Sequence, residues 1–334
     1  MPLDPTNPLD VAAVSTLVLG LSLMGAGQFY KKRHRHILTA LGEVLFGIFW
    51  VLQVPYYLSV NDTTYAVTCA VALLAYGYLA YHEYLCFVRS EELTPLDWVA
   101  LSSVIAAGLY FIVAFIQPLD EAMVYGVAIN TTWVLDLFGY HSEIHTGGYD
   151  PAEGFSVPIY HNGFEIVRII MACTGFQSIA LLFALIISTR PDRSLWKDWA
   201  KANLHHVERR LKKSTGIYKL RLIMIRSTLN RLLNRSDKMR ILFSVLVTVP
   251  VIYVLNVIRN AAVVYVTGEK FLPFPFFHDY IMRIWAFMIL VILILIVFEL
   301  LPEMQENLFG LLDIMTKRNK FIVKGGFLVP RDDE

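Results

Sequence analysis

The chain has 334 residues, of which 56% are hydrophobic and only 17% charged, with a formal net charge of +1. A soluble domain usually carries about a quarter charged residues, so the composition excludes an ordinary water-soluble globule. Cys69, Cys86 and Cys173 are widely spaced and form neither a CxxC pair nor an even-numbered framework, which argues against a structural zinc site and a disulfide scaffold.

Apolar runs near the length needed to cross a hydrocarbon core about 30 Å thick recur along the chain. They predict an all-α, polytopic membrane helix bundle with about seven transmembrane helices, at 11–30, 37–60, 66–88, 98–116, 169–188, 241–266 and 284–301. The first ten residues lack the basic stretch of a cleaved signal, so the first run is expected to be a permanent span. It ends in Lys31-Lys32-Arg33-His34-Arg35-His36. Basic connections stay cytoplasmic, so this end is expected inside and the N-terminus outside. Segment 117–167 then falls outside, with no Lys or Arg and seven Asp or Glu. Segment 190–240 falls inside, with 15 of the 29 basic residues and four acidic ones. The sequons at Asn61 and Asn130 lie outside on this topology, and the one at Asn234 inside.

The expected organisation is five spans over 1–189, a basic cytoplasmic insertion over 190–240, two spans over 241–302 and a cytoplasmic tail over 303–334. Within the outer segment, 122–138 is apolar but interrupted by Asn130, Thr131, Thr132 and Asp136. Those groups are poorly tolerated against lipid, so an outer-surface or re-entrant helix is expected there. In the insertion, Trp196, Trp199, Leu204, Val207 and Leu211, then Leu222, Ile225, Leu229 and Leu232, recur near helical spacing among Lys and Arg. Such a stripe suits the surface of an anionic membrane. Nothing in the chain points to nucleic acid.

Three segments carry residues suited to nucleophilic chemistry. Cys173 stands in Ala172-Cys173-Thr174-Gly175-Phe176-Gln177-Ser178 near the outer end of the fifth span, with Gln177 expected one helical turn deeper on the same face. A nucleophilic thiol needs partial access and a nearby cation, although a lone cysteine in an apolar helix is by itself a packing residue. Arg259, in Asn256-Val257-Ile258-Arg259-Asn260, sits in a span running outward and reaches about the same depth. An arginine there must snorkel, pair or face a polar cavity. His278 and Arg283 follow in the next outer loop and at the start of the last span, where an imidazole can move a proton and a guanidinium can steady developing negative charge.

In this order on these helices, the Cys173 motif, Asn256-x-x-Arg259-Asn260 and His278-Asp279-x-x-x-Arg283 resemble the exosortase/archaeosortase family over about residues 98–301. The resemblance implies a membrane-embedded cysteine protease or transpeptidase, archaeal in origin, with its active site facing the extracellular side. Its substrates would be surface proteins carrying a C-terminal sorting signal and transmembrane helix, its acceptor a membrane lipid, and no cofactor would be needed. Cys173 is the implied nucleophile and Arg259 the second catalytic residue. The third is either His278 or Arg283, since bacterial exosortases use His and archaeal enzymes can use Arg. Thr174, Gln177, Asn256 and Asn260 are the adjoining candidates for substrate binding or oxyanion support. The 190–240 segment is longer than the family pattern.

Two other readings use different residues. A non-enzymatic seven-span transporter or receptor would line a solute path with Glu43, Glu83 or Arg259. A membrane metalloprotease would bind its metal through His141 and His145, although their Gly-rich surroundings suggest a loop. Cys69 and Cys86 are read as packing residues.

Overall fold

The computed structural model describes residues 7–30, 33–60, 62–150, 154–191, 237–316, 321–324 and 327–330, with a few positions between 204 and 223. The amphipathic stripe expected over 190–240 lies largely outside these described residues.

Among the described residues, six helices are long and apolar enough to cross a membrane: α1 (Pro8–Phe29), α2 with its short continuation α3 (His34–Leu52, Val54–Ser59), α4 (Thr63–Arg89), α5 (Thr94–Phe115), α8 (Asp237–Gly268) and α9 (Phe274–Leu300). A π-helical turn, Phe277–Ile281, lies within α9. Helix α6 (Gln117–Leu137) is not among the six. Helix α7 (Phe176–Ser188) is apolar but has only 13 residues.

The bundle is held by close backbone contact at one side and polar pairs at one end. A Cβ on Gly42 would stand 2.5 Å from Met24 Cγ and 2.7 Å from the Gly20 carbonyl oxygen. Small residues thus let α1 and α2 approach closely, as membrane helices require when lipid gives no hydrophobic drive to pair. At one end of the bundle, Arg35 pairs with Asp97 at 3.0 Å, His36 Nδ1 lies 2.6 Å from Glu83, and the Trp98 indole donates to the Leu185 carbonyl. At the other end, Asp62 before α4 meets Arg283 near the start of α9. These pairs put the start of α2, the end of α4, the start of α5 and the end of α7 together, as successive up-and-down helices demand.

The chain is mostly helical, as the expected bundle requires, with a small sheet added at the other end. Residues Glu143–Ile144 (β1), Gly148–Asp150 (β2), Gly154–His161 (β3) and Phe164–Ile170 (β4) form a four-stranded antiparallel sheet. β1 and β2 pair successive parts of β3, and β4 pairs its opposite side. The β3–β4 turn is Asn162-Gly163, with φ of 52° and 80°. This Asn-Gly pair, with positive φ at both positions, suits a tight two-residue hairpin turn. Phe155, Val157 and Ile159 alternate onto one face and bury against Val124, Val127 and Ala128 of α6 and Ala261 and Val264 of α8. Each such aliphatic side chain contributes about 1.5–3 kcal/mol by leaving water.

The sheet also shortens the fifth expected span. Ile169 and Ile170 pair with Val157 and Ser156 as the end of β4, because β-branched residues suit a pleated strand. A 3-10 turn, Met171–Thr174, and a left-handed Gly175 follow before α7 begins. The expected helix at 169–188 therefore starts at Phe176. The expected tail likewise contributes α10 (Pro302–Thr316), which packs on α5 through Gly310 against Pro95, while the Tyr78 hydroxyl donates to the Ile314 carbonyl. Strands β5 (Phe321–Lys324) and β6 (Phe327–Pro330) pair beyond it.

Candidate functional site

Cys173 sits in the 3-10 turn between β4 and α7, half-buried, rather than on a helix face. The turn is tied from both sides. The Thr174 hydroxyl donates to the Met171 carbonyl at 2.7 Å and accepts from the Phe176 amide at 3.2 Å, satisfying one of the N–H groups left open at the start of α7. From α8, the side-chain amides of Asn256 and Asn260 both donate to the Cys173 carbonyl, each at 2.8 Å. Residues four apart on a helix share a face, so α8 holds the turn with two parallel arms, and Arg259 projects beside them.

Gly175 is required twice at this point. Its φ of 72° is left-handed, and a Cβ there would meet Asn256 Cγ at 2.8 Å. Gly175→Ala is expected to cost about 1–2 kcal/mol in backbone strain and about 1–3 kcal/mol more if Asn256 is displaced from the Cys173 carbonyl. Thermal unfolding should register the loss, and the alkylation rate of Cys173 by iodoacetamide should change with it.

Cys173, Arg259, His278 and Arg283 all line one cleft of about 510 Å³. Its walls come from β4, the Cys173 turn, α8, and the start of α9, with Asp62 and Tyr65 closing it from α4. A smaller cleft of about 220 Å³ shares Tyr65, Ala172, Arg259 and Arg283 with it and continues along Gln177, Asn256 and an apolar wall of α8 and α9. Gln177 thus faces the neighbouring cleft, where its amide donates to the Tyr110 hydroxyl at 3.1 Å. The turn at Gly175 removes it from the helical relation to Cys173 expected above.

The two candidates for the third role are joined by Asp279. His278 Nδ1 lies 2.9 Å from Asp279 Oδ1, and Arg283 donates to the same oxygen at 3.3 Å. Arg283 also reaches Asp62 at 3.4 Å and sits over the Tyr65 ring. The His278 ring stacks on Phe274. Arg259 contrasts with Arg283: its Nε is buried without a hydrogen-bond partner among the described residues. A buried donor of this kind favours an incoming acceptor, because leaving it unmade costs about 1–3 kcal/mol. On the β4 side, hydrogen bonding from Arg168 is the main cause holding the Glu165 carboxyl below the usual carboxylate range.

Asp62, Tyr65 and strand β4 were not singled out by the sequence, and Asp279 entered only as part of the His278 motif. Asp279 was findable, since it stands four residues before Arg283 within one helical turn. Asp62 was hidden in a short turn, and only the fold brings it to Arg283.

The remaining sequence candidates lie elsewhere. His141 is exposed beside Asp136, and His145 stacks on Tyr160 in the sheet. Among the described residues no group of three His, Cys, Asp or Glu side chains is placed to hold a metal ion. Glu43 is fully buried in α2, and Cys69 and Cys86 are buried in α4. Comparison with protein-family models, with curated proteins and with solved structures finds no match to this chain.

Proposed function

We propose that this chain is a membrane-embedded cysteine protease or transpeptidase of the exosortase/archaeosortase kind. In this reading it is a multi-pass protein of the cell membrane with its cleft on the extracellular side, and it cleaves the C-terminal sorting signal of surface proteins. The supporting observation is that Cys173, Arg259, His278 and Arg283, spread over 111 positions of the chain, line one cleft.

The chemistry follows from the groups present. The Cys173 thiolate attacks a peptide carbonyl carbon, a C–S bond forms, and the carbonyl oxygen takes up negative charge. Arg259, whose buried Nε lacks a partner among the described residues, donates to that oxygen. Collapse of the intermediate breaks the C–N bond, and His278 supplies the proton that the leaving amine requires. An acceptor nucleophile, proposed to be a membrane lipid, then attacks the thioester and returns the thiol. Asp279 acts as a positioning residue, holding His278 and Arg283 through one oxygen. Asp279→Asn is expected to lower kcat about a hundredfold, the low end for a positioned proton-transfer group, with KM little changed.

The direct test compares surface proteins in cells carrying the native chain or Cys173→Ala. The variant should accumulate precursors that retain their C-terminal hydrophobic helix. Normal processing in that variant excludes the mechanism. Mass spectrometry of the purified native chain with such a precursor should detect an acyl adduct on Cys173.

A further inference from the structure

The smaller cleft is amphipathic along its length. Its charged lining residues are Arg259 and Arg283, with no carboxylate among them. Arg259 lies toward the end of α8 and Arg283 near the start of α9. Seven positions before Arg259 stands Ile252, and seven positions after Arg283 stands Leu290. Both line the same cleft. Seven residues span about 10 Å of helix. The two walls are antiparallel, so they carry their cations at one shared end and apolar side chains for two turns beyond it.

Both cations have donors to give. A guanidinium carries five N–H groups in a planar fork that matches phosphate oxygens. Arg283 meets Asp62 and Asp279 through Nη2 alone, and those two carboxylates line the larger cleft, not this one. The Nε of Arg259 is buried without a partner among the described residues. The far end of the cleft offers Ile252, Leu255, Ile289 and Leu290 instead. Its α9 wall belongs to the least buried of the six long helices, which exposes Ile284, Phe287 and Met288. In a bilayer that helix surface meets lipid.

We infer that the smaller cleft holds one anionic phospholipid, with its phosphate between Arg259 and Arg283 and one chain along Ile252, Leu255, Ile289 and Leu290. Charge and width select this occupant. A further transmembrane helix is about 10–12 Å across. It would need several times the 220 Å³ present, and its apolar surface brings no anion to the guanidiniums. A free phosphate would leave the apolar walls unused. Basic pockets between transmembrane helices take lipid head groups by the same logic. Ala172 and Gly175, from the turn that carries Cys173, also line the cleft, so the bound head group lies beside the thiol. The lipid site does not depend on the peptidase reading. Under that reading it stands where an acceptor lipid is needed, with Arg283 as its anchor and His278 left to move the proton.

The test is native mass spectrometry of the full chain, purified in detergent, stripped of cellular lipid and titrated with dioleoyl phosphatidylglycerol. One lipid per chain should persist under activation that removes the rest. Dioleoylglycerol lacks the phosphate and glycerol 3-phosphate lacks the chains, and each should bind about tenfold or more weaker. If dioleoylglycerol is held as well, the cations play no part. If glycerol 3-phosphate competes as well, the apolar walls play none. Either result overturns the inference. Arg283→Gln withdraws one charge and Ala286→Trp fills the slot, and each should weaken retention of phosphatidylglycerol about tenfold or more. Leu295→Trp, at an exposed position of α9 outside the cleft, should retain it as the native chain does. Thermal unfolding verifies the fold of each variant. Native retention in either folded cleft variant overturns the inference, and Arg283→Gln decides alone if Ala286→Trp does not fold. No measurement here involves cleavage. Normal processing in Cys173→Ala cells would therefore remove the peptidase reading and leave the lipid site, whereas loss of the lipid site would leave the thiol mechanism.

Discussion

Arg259→Ala is expected to lower the rate of peptide cleavage about a hundredfold or more, the usual cost of removing one donor to a developing oxyanion. The effect should fall on kcat, because the carbonyl oxygen carries full charge only in the intermediate. Stability should hardly change. Arg259 makes no ion pair among the described residues, and its Nε has no hydrogen-bond partner there, so its removal strands no carboxylate. Arg259→Lys keeps the charge but not the planar fork of donors and should recover only part of the rate. Cys173→Ala should abolish cleavage altogether, and its alkylation signal should vanish with it. A native rate in Arg259→Ala, measured with precursor and purified chain, would exclude the guanidinium from the chemistry.

Glu303→Ala should give the largest loss of stability. Arg240 at the start of α8 is 1% exposed and Glu303 at the start of α10 is 4% exposed. Their contact is bidentate: Arg240 Nη2 lies 2.7 Å from one carboxylate oxygen and 3.0 Å from the other. Removing Glu303 leaves the buried Arg240 to its longer contact with Asp237 at 3.6 Å, and breaking a buried pair in this way costs about 3–5 kcal/mol. Thermal unfolding in detergent should shift down clearly. The double replacement Arg240→Met with Glu303→Leu removes both charges and should regain most of that loss. The pair lies at the end of the bundle away from Cys173, so cleavage at low temperature should stay near native in both variants. A single variant as stable as the native chain would mean that the pair is well hydrated.

The helical bundle was legible because membrane helices must satisfy their backbone internally and be apolar along their length, and both demands leave long marks in the sequence. The candidate site residues were legible for a related reason: a cysteine with polar neighbours and an arginine within apolar runs stand out. The sheet was not. Its strands are short, and Ile166-Val167 and Ile169-Ile170 read equally well as the start of a helix. The signal that separates the two is Asn162-Gly163, a hairpin turn between alternating apolar residues. Asp62 escaped notice and Asp279 was given no role of its own because an acid at a turn is ordinary, and their value comes from the approach of Arg283. The double Asn grip on the Cys173 carbonyl was half visible: the four-residue spacing predicts one face, but the partner on that face is set by tertiary packing.

Helix α7 has 13 residues, which span about 20 Å at the ordinary rise, against a hydrocarbon slab of about 30 Å. If α7 crosses the bilayer, lipid beside so short a rod thins or dimples to meet it, drawing headgroups and water down toward the thiol. Acyl-chain length thus becomes a physical control on the proposed chemistry. A thick bilayer would bury the sulfur in oil, and a thin one would bathe it.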